Sequence, residues 1–209
     1  MSIEQTPAPA RSDVRRSAAV TITPTRPFRV HGTVLTVGAV AWAASQLAVG
    51  LDPQTRSGEI LYSITSGAFQ LGLLCLLRVL WRTQALGEGR LARFFLRLVS
   101  VLVVLALGST AADGLGLTDM DQVGWILLDM NWPLSMLGMF FIGIRIAIAG
   151  RWQGASRFWP MVAESWAVVV IPTLNIAGDD VALVVSALHL CLGYGVLGQI
   201  VARKPGLAR

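Results

Sequence analysis

Six apolar stretches of transmembrane length follow one another along the chain, at about 30–51, 59–81, 94–112, 123–149, 158–177 and 181–202. An α-helix rises about 1.5 Å per residue, so each stretch is long enough to cross a hydrocarbon core of about 30 Å. The segments 98–108 and 166–171 are apolar all round rather than striped, as in helices that face lipid or lie inside a bundle. The pattern predicts an all-α protein, an integral membrane bundle of six transmembrane helices over residues 30–202. Short connections between the stretches predict antiparallel hairpins of sequence neighbours.

The polar positions between the stretches alternate in charge. Asp52, Arg56 and Glu59 fall in the first loop of one side, Asp113, Asp119 and Asp121 in the second, and Asp179 and Asp180 in the third. The other side has Arg11, Arg15, Arg16, Arg26 and Arg29, then Arg82, Arg90 and Arg93, then Arg151 and Arg157, and finally Arg203, Lys204 and Arg209. With the arginines just inside the span ends, sixteen of the seventeen basic residues lie on that side. The positive-inside rule then places both termini in the cytoplasm. Residues 1–29, with four prolines and five arginines, read as a disordered basic cytoplasmic tail, and 203–209 as a second, short one. The first span reads as uncleaved.

Composition agrees with this picture. The apolar share is 54% and the mean hydropathy +0.63, more than a soluble core of 209 residues requires. A sequence pI near 10.2 would point to nucleic acid in a soluble protein, but these arginines are explained by their position beside the spans, and no nucleic acid partner is expected. One lysine against sixteen arginines, with abundant Ala, Gly, Leu and Val, points to a GC-rich bacterium and its inner membrane. The partners this implies are the bilayer, anionic lipid headgroups at the cytoplasmic face, and a second copy or another protein.

Chemistry in the bilayer must come from few groups. In the fourth span, Pro133 cannot donate to the Asp129 carbonyl, so one turn holds a carboxylate, a freed acceptor and the Asn131 amide. This predicts a kink, and broken helices can line polar cavities. Asp129 lies about 9 Å deep if the core starts at Val123, and at the interface if twenty residues are counted back from Gly150. Pro172 predicts a second bend, in the fifth span. His189, about 12 Å into the sixth span, is the other ionisable candidate. Asp129, Asn131, His189 and Gln46 are therefore expected around one outer-half cavity, with Gln70 and Asn175 as further polar neighbours, and Asp129 and His189 facing the same space. At the basic end, Arg145 and Glu164 are the candidate charge pair, with Arg78, Arg97 and Arg145 as a possible anion pocket.

Small residues four apart, Ser63 with Gly67 and Ala187 with Cys191 and Gly195, would allow close helix approach. Trp81, Trp152 and Trp159 fit an aromatic belt at the basic end, and Trp125 one at the other. Cys75 and Cys191 read as packing residues. His31 and His189 sit at different depths, which excludes bis-histidine haem ligation, and no cofactor is expected. The chain contains no P-loop, HExxH, GxSxG or EF-hand pattern. The sequence favours a non-enzymatic accessory, sensory or assembly module. The alternative is a small oligomeric transporter built around the kinked fourth helix.

Overall fold

The computed structural model describes residues 28–119 and 121–203; both expected tails lie almost wholly outside the described residues. Six helical spans long and apolar enough to cross a membrane run Arg29–Val49, Arg56–Arg82, Arg90–Leu115, Val123–Ala149, Ala155–Ala177 and Asp179–Arg203, and the described residues contain no strand. The protein is all-helical and reads as a multi-pass membrane protein. Most spans begin or end a few residues beyond the apolar stretch, because the helical hydrogen-bond ladder continues through the charged flanks.

Three spans are segmented. The helices in chain order are α1 (Arg29–Val49), α2 (Arg56–Arg82), α3 (Arg90–Leu115), α4 (Val123–Asp129), α5 (Asn131–Ala149), α6 (Ala155–Glu164), α7 (Trp166–Ala177) and α8 (Asp179–His189). A π-helical stretch, Leu190–Gly195, then leads into α9 (Val196–Arg203). The fourth span is interrupted at Met130, one turn before Pro133. The fifth is interrupted at Ser165, midway between Pro160 and Pro172. Pro160 lies inside α6, so the fifth span contains two prolines rather than the expected one.

α1 is the hub. It packs along α2 on one side and along α8, the π stretch and α9 on the other. Glycines make this possible. A Cβ at Gly38 would stand 2.7 Å from the Ala68 carbonyl oxygen of α2, and a Cβ at Gly32 would run into the Gly198 carbonyl and the Ala202 backbone of α9. Gly32, Gly38 and Gly198 are the close-approach positions. The expected ones differ in role: Ser63 and Gly67 line an apolar groove of about 530 Å³ between α2 and α3, and Gly195 meets no neighbour tightly.

Aromatic rings fill the centre of the bundle. Trp42, 2% exposed, stacks on Phe69 at 5.0 Å between centroids and meets Trp132, Trp166 and Tyr62 at 5.7, 5.9 and 6.0 Å. Phe69 in turn meets Tyr194 edge-on at 4.8 Å. These six rings come from five different spans, so one cluster ties the bundle together. Trp152 departs from the expected belt: it is buried, and its indole N–H donates to the Thr83 hydroxyl at 3.1 Å, pinning the α5–α6 connection onto the end of α2.

Candidate functional site

The polar residues expected around one cavity do not meet. Asp129 lies against α3, beside Ser109 and Asp113. Asn131 turns back on its own helix, where its amide donates to the Leu127 and Leu128 carbonyls at 3.0 and 2.9 Å. It covers acceptors that the break at Met130 leaves open, so it acts as a local cap. His189 faces α6, with Nε2 3.2 Å from the Ala163 carbonyl. Asn175 likewise bonds its own helix, at Ile171, and Gln70 donates to Thr110 of α3 at 2.7 Å. The reason is register: Asp129 points from α4 toward α3, whereas His189 points from α8 toward α6.

Gln46 is fully buried and belongs to a different network. The Trp166 indole donates to the Ser186 hydroxyl at 3.1 Å, and that hydroxyl donates to Gln46 Oε1 at 2.7 Å. Three spans are cross-linked by this relay, and it holds the Trp166 ring in one orientation.

The expected Arg145–Glu164 pair is also absent. Arg145 is exposed, and its guanidinium extends toward Gly87 in the α2–α3 connection. Because α6 begins at Ala155, Glu164 is its tenth residue and lies about 14 Å along the span, near the middle of its length. Its carboxylate is 1% exposed, and Oε2 accepts a hydrogen bond from the Tyr194 hydroxyl at 2.6 Å. Oε1 is buried and has no hydrogen-bond partner among the described residues.

The π stretch delivers Tyr194 to that carboxylate. One wide turn shifts the register of every residue after His189 and opens backbone carbonyls that an α-helix would have used. Those carbonyls are taken by side chains. The Trp159 indole N–H lies 3.2 and 3.0 Å from the Leu192 and Gly193 oxygens, and the Thr36 hydroxyl donates to Gly195 at 3.0 Å. π-helical turns are frequent at functional sites. The sequence carries a faint sign of this one, Gly193 and Gly195 flanking a tyrosine, but no periodicity marks a single wide turn.

Glu164 also forms part of the wall of a cleft of about 590 Å³ between the fourth and fifth spans. Trp132, Met136 and Phe140 line one side; Trp166 and Ile171 line the other. The cleft exists because α5 packs closely on α6 but barely touches α7, so the two spans part beyond Ser165. Its rim is apolar and exposed, with Leu137, Val168 and Ile171 each about half accessible, so it opens sideways toward where lipid would lie. A volume of this size lies in the range of small-molecule sites. Glu164 is the one ionisable residue in its lining.

A second groove, of about 740 Å³, lies between α2 and α3 at the arginine-rich end, lined by Arg78, Arg82 and Arg97 with no acidic residue. The Arg97 guanidinium sits over the Trp81 ring at 5.2 Å. Arg78 and Arg97 are thus brought together as the sequence anticipated, with Arg82 rather than Arg145 as the third member. The described residues contain no group of three or more side chains placed to hold a metal ion. Compared with protein-family models, curated proteins and solved structures, the chain matches none.

Proposed function

We propose that this chain is a non-enzymatic, multi-pass bacterial inner-membrane protein that binds an amphipathic molecule drawn sideways from the bilayer. One observation carries the reading: a drug-sized apolar cleft open at the side of the bundle counts the buried Glu164, whose Oε1 has no hydrogen-bond partner, among its lining residues. Buried polar groups are normally satisfied, and an exception at the wall of a cavity marks a place where a ligand can complete the set. A lone carboxylate with no nucleophile beside it anchors a ligand; it does not make an acid–base pair. The transporter alternative moves with the site, from an outer-half polar cavity to this lateral cleft.

Thermal stability of the purified protein in non-ionic detergent, scanned across a panel of amphipathic solutes, tests the reading. At least one solute should raise the Tm. Ala167→Phe, which places a ring on the cleft wall, should remove that response while the protein still melts cooperatively. A panel in which no solute shifts the Tm of the native protein would refute it.

The same proposal places both termini in the cytoplasm and the arginine groove at the inner leaflet, where anionic headgroups would occupy it. Reporter fusions at Leu86, Gly154 and the C-terminus should score cytoplasmic, and those after Gln54, Gly116 and Gly178 external. A cytoplasmic signal at Gly116 would overturn that orientation.

A further inference from the structure

We infer that the arginine groove between α2 and α3 selects a phospholipid whose head is a phosphomonoester, with about two negative charges. The inference rests on the reading that puts this groove at the inner leaflet with anionic headgroups in it, and adds which headgroup the site prefers. Three observations support it.

The first is unmatched charge. Arg78, Arg82 and Arg97 line the groove, all three are exposed, and no acidic residue joins them. Arg78 and Arg82 lie one turn apart on α2 and so share a face. Arg97 reaches across from α3, where its guanidinium lies 5.2 Å from the centre of the Trp81 ring. Trp81 stands between the other two arginines in sequence, so Arg97 is brought to the stretch of α2 that carries them. Among the described residues the ion pairs join other groups, Arg56 with Glu59 and Arg151 with Glu88. Glu88 is the one carboxylate of the α2–α3 connection, and Arg151 already holds it. Three like charges in one groove repel one another, and an anion from outside removes that cost.

The second is the order of the lining. Leu74 lies one turn inward of Arg78, and Val101 one turn inward of Arg97, so both are about 6 Å nearer the middle of their spans. The Ser100 hydroxyl is engaged, donating to the Leu96 carbonyl at 2.7 Å. The groove is therefore cationic toward the span ends and apolar toward the middle. A phospholipid has the same order, head outward and acyl chain inward. A small soluble anion would leave the apolar end unfilled.

The third is the number of donors. A guanidinium presents a planar fork of N–H groups that fits phosphate oxygens in pairs, and it keeps its proton. The Trp81 ring steadies Arg97 without neutralising it. A phosphodiester head offers two free oxygens and a single negative charge. A phosphomonoester offers three oxygens, and its second pKa of about 6 brings its charge close to two at neutral pH. Three forks suit the monoester better. A zwitterionic head would add a cation where three already stand.

Lipids with the same dioctanoyl chains separate these cases: phosphatidic acid, phosphatidylglycerol and phosphatidylcholine. Binding to the full chain in non-ionic detergent is counted by native mass spectrometry and titrated through the rise in Tm. At about pH 7.5 the native protein should bind phosphatidic acid saturably, about tenfold tighter than phosphatidylglycerol, and phosphatidylcholine should not saturate. At about pH 5 the monoester has regained its second proton while the arginines stay charged, so the preference should largely disappear. Arg78→Gln and Arg97→Gln should each weaken phosphatidic acid binding about tenfold. Arg93→Gln, exposed at the same end but outside the groove, should leave it unchanged. If excess inorganic phosphate displaces the lipid, the groove reads a free anion and the lipid assignment is wrong. If phosphatidylglycerol binds as tightly as phosphatidic acid and Arg97→Gln weakens both, the headgroup reading stands and the monoester preference is wrong. If neither binds more tightly than phosphatidylcholine, both fail. Should the arginine variants not fold, the pH dependence of phosphatidic acid against phosphatidylglycerol on the native protein decides the matter alone.

Discussion

Gly32→Ala and Gly198→Ala should each lower the Tm by about 10 °C, whereas Gly108→Ala should leave it unchanged or raise it slightly. The substitution is chemically the same at all three positions, so the outcome reports the surroundings. A Cβ at Gly32 meets the Gly198 carbonyl and the Ala202 backbone, and one at Gly198 meets Thr36 and the Gly32 carbonyl. None of these backbone atoms can yield without parting α1 from α9. That separation would also strain the Thr36 bonds to Gly195 and Gln199. Overpacking costs about 1–3 kcal/mol, and the upper end applies where backbone rather than a flexible side chain is struck. About 3 kcal/mol corresponds to roughly 10 °C in a chain of this size. Gly108, in contrast, has nothing within 4 Å of its missing Cβ, and alanine is the better helix former by up to about 1 kcal/mol. Similar shifts at all three positions would show that α1 and α9 do not touch as described.

These glycines also show where sequence reading stops. Six spans were legible because each is a predominantly apolar run of sufficient length, a property of one segment by itself. That Gly32 faces Gly198, 166 positions away, depends on which two spans are neighbours, and no local pattern records it. Ser63 and Gly67 have the more recognisable spacing and line a groove instead.

Less of the candidate site was legible than of the spans. Ionisable residues inside spans were correctly singled out as few, but their directions were not legible. Asp129 and His189 share a half of the bundle in sequence terms and still face different neighbours, α3 and α6. The short loop between the fourth and fifth spans makes Arg145 the expected partner of Glu164. Helix from Ala155 onward carries it toward the middle, beyond the reach of an arginine at the interface. Its actual partner, Tyr194, arrives through the wide turn at Leu190–Gly195, and such a turn alters direction without altering composition.

The aromatic centre joins stability to the proposed ligand site, and Trp42→Ala should damage both. Trp42 contacts rings from three other spans: Tyr62 and Phe69 of the second, Trp132 of the fourth and Trp166 of the fifth. In a bilayer, lipid is as apolar as the core, so helix association depends on packing and hydrogen bonding rather than on escape from water. A void at this junction therefore removes contacts that lipid cannot replace from inside. Truncating a buried tryptophan costs about 3–5 kcal/mol, and the Tm should fall by roughly 10–15 °C. Trp81→Ala is the control. That ring is 37% exposed and lies under Arg97 at the edge of the bundle, so its loss should cost under about 1 kcal/mol. Trp42 is not among the residues that line the cleft, yet Trp132 and Trp166, which do, both rest on it. Trp42→Ala should therefore abolish solute-induced stabilisation even at temperatures where the variant remains folded, and Trp42→Phe should restore part of both properties. A Trp42→Ala protein that melts near the native temperature would remove the ring cluster as the joint of the bundle. One that melts early but keeps its full ligand response would uncouple the cleft walls from that joint.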